Sequence, residues 1–124
     1  MTLLADLVST STAVGATSAR SAKIATLAEL LARLEPDEIE IAVGFLTGVI
    51  RHGSIGVGWA TASKLHGAAT EPSVEVAQLH EVFGQLLVTI GTGSQAQRAA
   101  LMADLGKRLT PDEADFARRL LTGE

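Results

Sequence analysis

The stretch from Ser94 to Gly123, SQAQRAALMADLGKRLTPDEADFARRLLTG, overlays an earlier part of the same chain without a gap when shifted by 75 positions. Identical pairs include Ala25/Ala100, Ala28/Ala103, Leu30/Leu105, Arg33/Arg108, Leu34/Leu109, Pro36/Pro111, Asp37/Asp112, Glu38/Glu113, Ala42/Ala117, Leu46/Leu121, Thr47/Thr122 and Gly48/Gly123. Agreement on RL-x-PDE and LTG together makes this an internal repeat, not a coincidence of two alanine-rich helices. The repeat also settles a local ambiguity. IAVGFLTGVI alone could be a buried strand entering a phosphate loop, but its twin FARRLLTG carries two adjacent arginines and cannot be one. Both copies are therefore helical.

Each copy reads as a helical hairpin. In the first, Ile24, Leu27, Leu30, Leu31 and Leu34 recur at helical spacing, with Thr17 or Ser18 available as the cap. Pro36 opens the second helix, with Asp37, Glu38 and Glu40 in its first turn, where carboxylates favour the positive end of the helix dipole. Its apolar face is Ile39, Ala42, Phe45, Leu46 and Val49. Between the hairpins the spacing predicts a short helix from Gly58 to His66, a polar break GAATEPS, and a longer helix from Ser73 to Ile90. That helix buries Val76, Leu79, Phe83, Leu86, Leu87 and Ile90. The expected fold is one all-α domain, a compact bundle of six or seven helices, with repeat one over 17–58 and an incomplete repeat two over 93–124.

Composition narrows the chemistry. The 124 residues contain no cysteine, which excludes disulfides and thiolate metal sites and fits a reducing cytoplasm. No apolar run reaches the roughly 18–20 residues that span a bilayer, and Asp6 stands where a signal peptide would be basic. The net charge of −4 argues against a general nucleic-acid binder unless the charges are segregated. The hairpins segregate them. The PDE turns hold acid at one end, whereas the other end gathers Thr17, Ser18, Arg20 and Lys23, then Arg51 and the glycines of GSIGVG, and, from copy two, Gly93, Ser94, Gln95 and Arg98. Helix starts preceded by Gly or Ser, with a cation one turn in, offer free N–H groups to anions. Two such starts related by internal symmetry suit phosphates facing each other across a minor groove.

Blander readings stand beside these. Thr17 and Ser94 are helix caps before they are ligands, and Arg20, Arg51 and Arg98 are ordinary solvated charges. GSIGVGWA is not G-x-G-x-x-G and reads first as a glycine-rich connection. His52, His66 and His80 are too scattered for a metal site, and Trp59 reads as a core anchor. Paired carboxylates at 37/38 and 112/113 are better explained by the helix dipole than by acid–base catalysis. Lys23, Lys64 and Lys107 are followed by IA, LH and RL, so none begins the K-x-D-G motif of covalent nucleotidyl transfer.

The stretches ATSARSAKIATLAELL, IGVGWA and GTGSQAQRAALMADL, with FARRLLTGE, resemble the N-terminal DNA-binding domain of ATP-dependent DNA ligases, of the actinobacterial ligase B type. The resemblance covers nearly the whole chain. It implies an all-helical, pseudo-two-fold domain that grips nicked duplex DNA through minor-groove phosphates without reading sequence. Gly56, Val57 and Gly58 match the family's phosphate-facing loop, Thr17, Ser18 and Arg20 the opening of the first hairpin, and Gly93, Ser94 and Arg98 that of the second. The resemblance further implies a monomeric, cytoplasmic, nucleoid-associated protein acting in repair, replication or recombination. It puts the catalytic lysine, ATP and Mg2+ with nucleotidyltransferase and OB domains elsewhere in a full-length ligase, and no cofactor in this chain. In the family, LLTGE is followed by a basic, glycine-containing stretch, and the first copy here continues into VIRHGSIGVGW. The expectation is therefore a domain truncated at its C-terminus. Two other classes stay open: a helical protein-interaction module, and a nucleotide-binding enzyme.

Overall fold

The computed structural model describes residues 1–48 and 59–122, with the side chains of Trp59 and Ala60 excepted. Seven helices run in order among them: α1 (Leu4–Gly15), α2 (Arg20–Arg33), α3 (Pro36–Thr47), the single turn α4 (Trp59–Ala62), α5 (Val76–Val88), α6 (Ser94–Arg108) and α7 (Pro111–Thr122). The chain is thus all-α, and among the described residues the one extended pairing is an antiparallel bridge between Leu3 and Glu75.

That bridge organises the domain. Leu4 N–H donates to the Val74 carbonyl at 2.8 Å and Val76 N–H donates to the Thr2 carbonyl at 2.9 Å. The exchange is symmetric: residues 2, 3 and 4 play the parts of 74, 75 and 76. Packing repeats the relation. α1 lies along α2 and α5 against α6, while α1 also meets α7 and α5 meets α3. Swapping the triplets α1–α2–α3 and α5–α6–α7 leaves this pattern unchanged, so the repeat is a three-helix unit about a pseudo-two-fold axis through the bridge. Burial agrees across the halves, with Leu4/Val76, Leu7/Leu79, Leu30/Leu105, Glu38/Glu113 and Ala42/Ala117 all inside.

The first helix of this unit is not evident in the sequence. Leu4, Leu7 and Thr10 form its buried stripe, and the threonine interrupts the apolar periodicity in a run rich in Ser and Thr. α5 is shorter than its spacing predicts, because residues 73–75 serve the bridge. Glu75 caps α5, accepting the N3 backbone N–H while its own N–H donates to the Gln78 side chain at 2.8 Å. Val76, Leu79, Phe83 and Leu86 are buried as expected, but Ile90 lies beyond the helix and is exposed. α2 is likewise amphipathic only in part: Leu30 and Leu34 are buried, whereas Ile24 is 56% exposed. Ile39 is also exposed, so α3 buries Ile41, Ala42 and Phe45. Phe45 meets Phe83 edge-to-face, ring centroids 5.8 Å apart, and this pair joins α3 to α5 in the core. The short helix expected over 58–66 is the single turn α4, and Leu65 after it is buried.

The PDE turns have a sharper role than dipole complementarity. Glu38 reaches back to accept the Glu35 N–H at 3.0 Å, and Glu113 accepts the Thr110 N–H at 2.8 Å. These are capping boxes, each tying the third helical residue to the residue before the helix. Two glycines fix the packing around the second turn. A Cβ on Gly67 would stand 2.3 Å from the Thr110 carbonyl, and one on Gly106 would stand 2.5 Å from the His66 oxygen.

Candidate functional site

The bundle has two ends. α1, α3 and α7 all run away from the bridge: Thr2 holds Glu38 at the start of α3, while Ser11 shares a small cleft with Phe45–Gly48 at the end of α3 and with Phe116, Arg119 and Leu120 of α7. α2 runs back along α1 after a short connection, so its start lies at the far end, one helix length or about 21 Å from the PDE turn. α6 is antiparallel to α5 in the same way, its first half beside Val88 and Thr89 and its last turn beside Gln78 and Glu81. The starts of α2 and α6 and the ends of α3 and α7 thus lie away from the bridge.

Acid gathers at the bridge end, beside the basic last turns of α2 (Arg33) and α6 (Lys107 and Arg108). At the bridge a hydrogen bond from Met1 to Glu35, backed by the negative charges of Glu35, Glu38 and Glu75, holds the terminal ammonium above its ordinary pKa. Arg33 meets Asp6 at 4.0 Å there. The far end carries Arg20, Lys23, Arg98 and Arg119.

The starts of α2 and α6 differ from those of the other helices longer than a single turn. α3, α5 and α7 begin with capping boxes, and α1 has Asp6 in its first turn. Neither α2 nor α6 has a side-chain cap or an acidic residue in its first turn. The cap expected from Thr17 or Ser18 is not formed. Ala19 is the N-cap of α2, and Thr17 Oγ1 instead accepts the Ala19 N–H at 3.2 Å, ordering the approach to the helix. In copy two Gly93 is the N-cap, at a left-handed φ of 82°, and Ser94 is the first helical residue. Ser94 N–H donates to the Gly91 carbonyl at 3.1 Å, so at the start of α6 the N–H groups of Gln95 and Ala96, and at the start of α2 those of Arg20, Ser21 and Ala22, are the ones that a first turn leaves without intrahelical partners.

Ser18, Arg20 and Gln95 are exposed, and Thr17, Lys23, Ser94 and Arg98 are half-buried. The repeat pairs Lys23 with Arg98, but their surroundings differ. Arg98 Nε donates to the Thr89 carbonyl at 3.0 Å, closing the α5–α6 corner. It is therefore more than a solvated charge, a role that residue spacing alone does not signal. Arg51, Gly56, Val57 and Gly58 lie outside the described residues, as do His52 and the Trp59 side chain. Among the described residues no cluster of three or more His, Asp or Glu side chains could hold a metal ion, and no helix is long and apolar enough to cross a membrane.

Comparison with known proteins gives one consistent result. The chain is 48% identical over 122 residues to a probable DNA ligase of Mycolicibacterium gilvum, covering 98% of this chain and 24% of that protein. It is 42% identical to a probable DNA ligase of Nocardioides sp., covering 98% of this chain and 25% of that protein. It is 46% identical to a probable DNA ligase of Saccharopolyspora erythraea, covering 100% of this chain and 24% of that protein. The chain thus spans about a quarter of the length of the curated relatives it matches. No family model matches the chain, and no solved structure matches it.

Proposed function

We propose that this chain, homologous to one domain-sized quarter of the actinobacterial DNA ligases, holds duplex DNA at a nick for a ligase whose chemistry resides elsewhere in a longer polypeptide. The observation that carries the reading is the pair of uncapped, carboxylate-free starts of α2 and α6, equivalent under the internal two-fold. Each offers backbone N–H groups to a phosphate, with Lys23 or Arg98 one turn in. Such contacts position a protein on the backbone and carry no base information. Arg20 and Gln95 stand in the first turn beside these donors, and Thr17, Ser18, Gly93 and Ser94 shape the approach to them. The carboxylates of the bridge end, mixed there with Arg33, Lys107 and Arg108, lie away from these starts, which accommodates a net charge of −4 alongside DNA binding. The parent ligase would draw on ATP and Mg2+ in its catalytic part and act in the bacterial cytoplasm during repair, replication or recombination.

The test is fluorescence anisotropy with a labelled nicked duplex. Weak binding is expected at low salt, falling steeply as salt is added and equal for duplexes of unrelated sequence. An isotherm that stays flat at low salt, for this chain and for a version continued as in its relatives, would sink the proposal. One observation favours a second reading: Val88 and Ile90 are 74% and 75% exposed at the α5–α6 corner. A protein-interaction module using them would bind its partner with little salt dependence.

A further inference from the structure

The internal two-fold leaves one described element, α4, without a counterpart. α4 follows α3 in sequence but packs on α6 and α7, the hairpin of the other half. The stretch from α4 to Gly67 seals that hairpin at close range. Ala62 and Leu65 are buried, and the Leu65 carbonyl accepts a hydrogen bond from Arg118. The His66 carbonyl lies so near Gly106 that an added Cβ would stand 2.5 Å from its oxygen. Ala68 N–H then donates to the Gly106 carbonyl at 3.0 Å. Under this cover Gly106 and Ala114 are buried and Arg118 is half-buried.

Under the shift of 75 that relates the copies, those three positions correspond to Leu31, Ile39 and Val43. The first hairpin thus carries large apolar residues where the second carries the residues that 59–67 covers. Among the described residues no helix packs on α2 and α3 as α4 packs on α6 and α7. Leu31, Ile39 and Val43 are accordingly 38%, 41% and 40% exposed. The substitutions also define what fits the open face. Gly106 admits a backbone carbonyl and Arg118 donates to one, so the second hairpin takes main chain directly. Leu31 fills the space that Gly106 leaves free, and Val43 has no donor to offer. The first hairpin is therefore met by apolar side chains held further off, as an amphipathic helix presents them.

We propose that Leu31, Ile39 and Val43 receive an amphipathic helix from the residues that follow α7 in the longer ligase polypeptide, as α6 and α7 receive α4 from the end of α3. The shift of 75 places the counterpart of α4 about ten residues beyond Glu124. The chain covers 24% of the Mycolicibacterium gilvum relative, which supplies a continuation to test. The proposal draws on the ligase family for that source and on the two-fold for the site. It does not depend on DNA binding, which the anisotropy measurement tests separately.

The experiment continues this chain with about thirty residues taken from directly after the matched stretch of the Mycolicibacterium gilvum relative, enough for the approach and a helix of average length. The continued chain is expected to melt about 5 °C or more above the original. Val43→Asp should remove most of that gain while leaving the melting temperature of the original chain nearly unchanged, since Val43 is exposed there. The same residues are then added as a separate peptide to the original chain with labelled methyl groups. The Leu31, Ile39 and Val43 methyls should shift, and Ile39→Asp should weaken the peptide about ten-fold or more. Ile90→Asp, at an apolar residue exposed elsewhere, should leave it unchanged. No gain in melting temperature, a gain that survives Val43→Asp, or shifts gathered at Val88 and Ile90 would each overturn the proposal. So would shifts of the three methyls with the concentration of the chain alone, which would assign the face to a second copy.

Discussion

Glu38 and Glu113 occupy equivalent third positions of α3 and α7, and both are buried, yet Glu38 holds Thr2 with both carboxylate oxygens whereas Glu113 leaves Oε2 unmet. The same residue in the same local motif is therefore worth different amounts in the two halves. Glu38→Ala removes a cap and strands the buried N–H and hydroxyl of Thr2, an expected loss of about 2–4 kcal/mol. Glu113→Ala removes a cap but also an unsatisfied oxygen, with an expected loss of about 1 kcal/mol. Urea unfolding of the two variants at neutral pH measures the difference, and equal losses would contradict the asymmetry.

The pH dependence of stability should carry the signature of Glu38. Burial pushes its carboxyl up from the model-peptide value of 4.5. Hydrogen bonds from the Glu35 and Thr2 N–H groups and the Thr2 hydroxyl, with the nearby terminal ammonium, pull it down further than that, leaving it lowered. The unfolded chain then binds this proton more readily, so stability rises with pH through this range. The contribution is fully present above the unfolded value of 4.5 and is lost as pH falls through the depressed folded value. Urea midpoints followed from neutral to acid pH should fall more steeply for wild type than for Glu38→Gln in that window. Parallel curves would remove Glu38 from the account.

How much of this was legible in the sequence depended on what the repeat could carry. Positions such as Leu30/Leu105, Ala42/Ala117 and Glu38/Glu113 are buried in both copies because identical residues meet equivalent neighbours. The periodicity of α2, α3, α6 and α7 was readable for that reason. α1 was not, because Thr10 breaks its apolar stripe and its match to α5 shows in sequence only at Ala5/Ala77 and Leu7/Leu79. The bridge was hidden too: the Glu75 that closes it also begins an E-x-x-Q pattern that passes for helix interior. At the candidate site the clustering of polar and basic residues at two helix starts was evident, but not that Ala19 is the cap nor that Arg98 braces Thr89. Both depend on loops where the copies differ.

Glycine positions give opposite expectations on one scale. Gly106→Ala gains up to about 1 kcal/mol of helix propensity, yet its Cβ would stand 2.5 Å from the His66 carbonyl oxygen, which is backbone and cannot swing aside. A net loss of about 2 kcal/mol or more is expected. Gly15, by contrast, has nothing within 4 Å of an added Cβ, and Gly15→Ala at the end of α1 should be neutral or mildly stabilising. Thermal melts should fall clearly for Gly106→Ala and hold or rise slightly for Gly15→Ala.

The two cations at the helix starts should separate DNA affinity from stability. Lys23 forms one turn of a helix whose start is uncapped, and Lys23→Ala should leave the melting temperature nearly unchanged. It should weaken duplex binding equally for all sequences and reduce the slope of log K against log salt by about 1. Arg98 also donates to the Thr89 carbonyl, so Arg98→Ala should show the same loss of slope together with a drop in stability of about 1–2 kcal/mol. Arg98→Lys retains the charge without the guanidinium geometry, and should recover the salt slope while leaving the stability loss largely in place. Anisotropy across a salt series, paired with urea unfolding, resolves the two effects. A Lys23→Ala variant with an unchanged slope would place the phosphates elsewhere than at the start of α2.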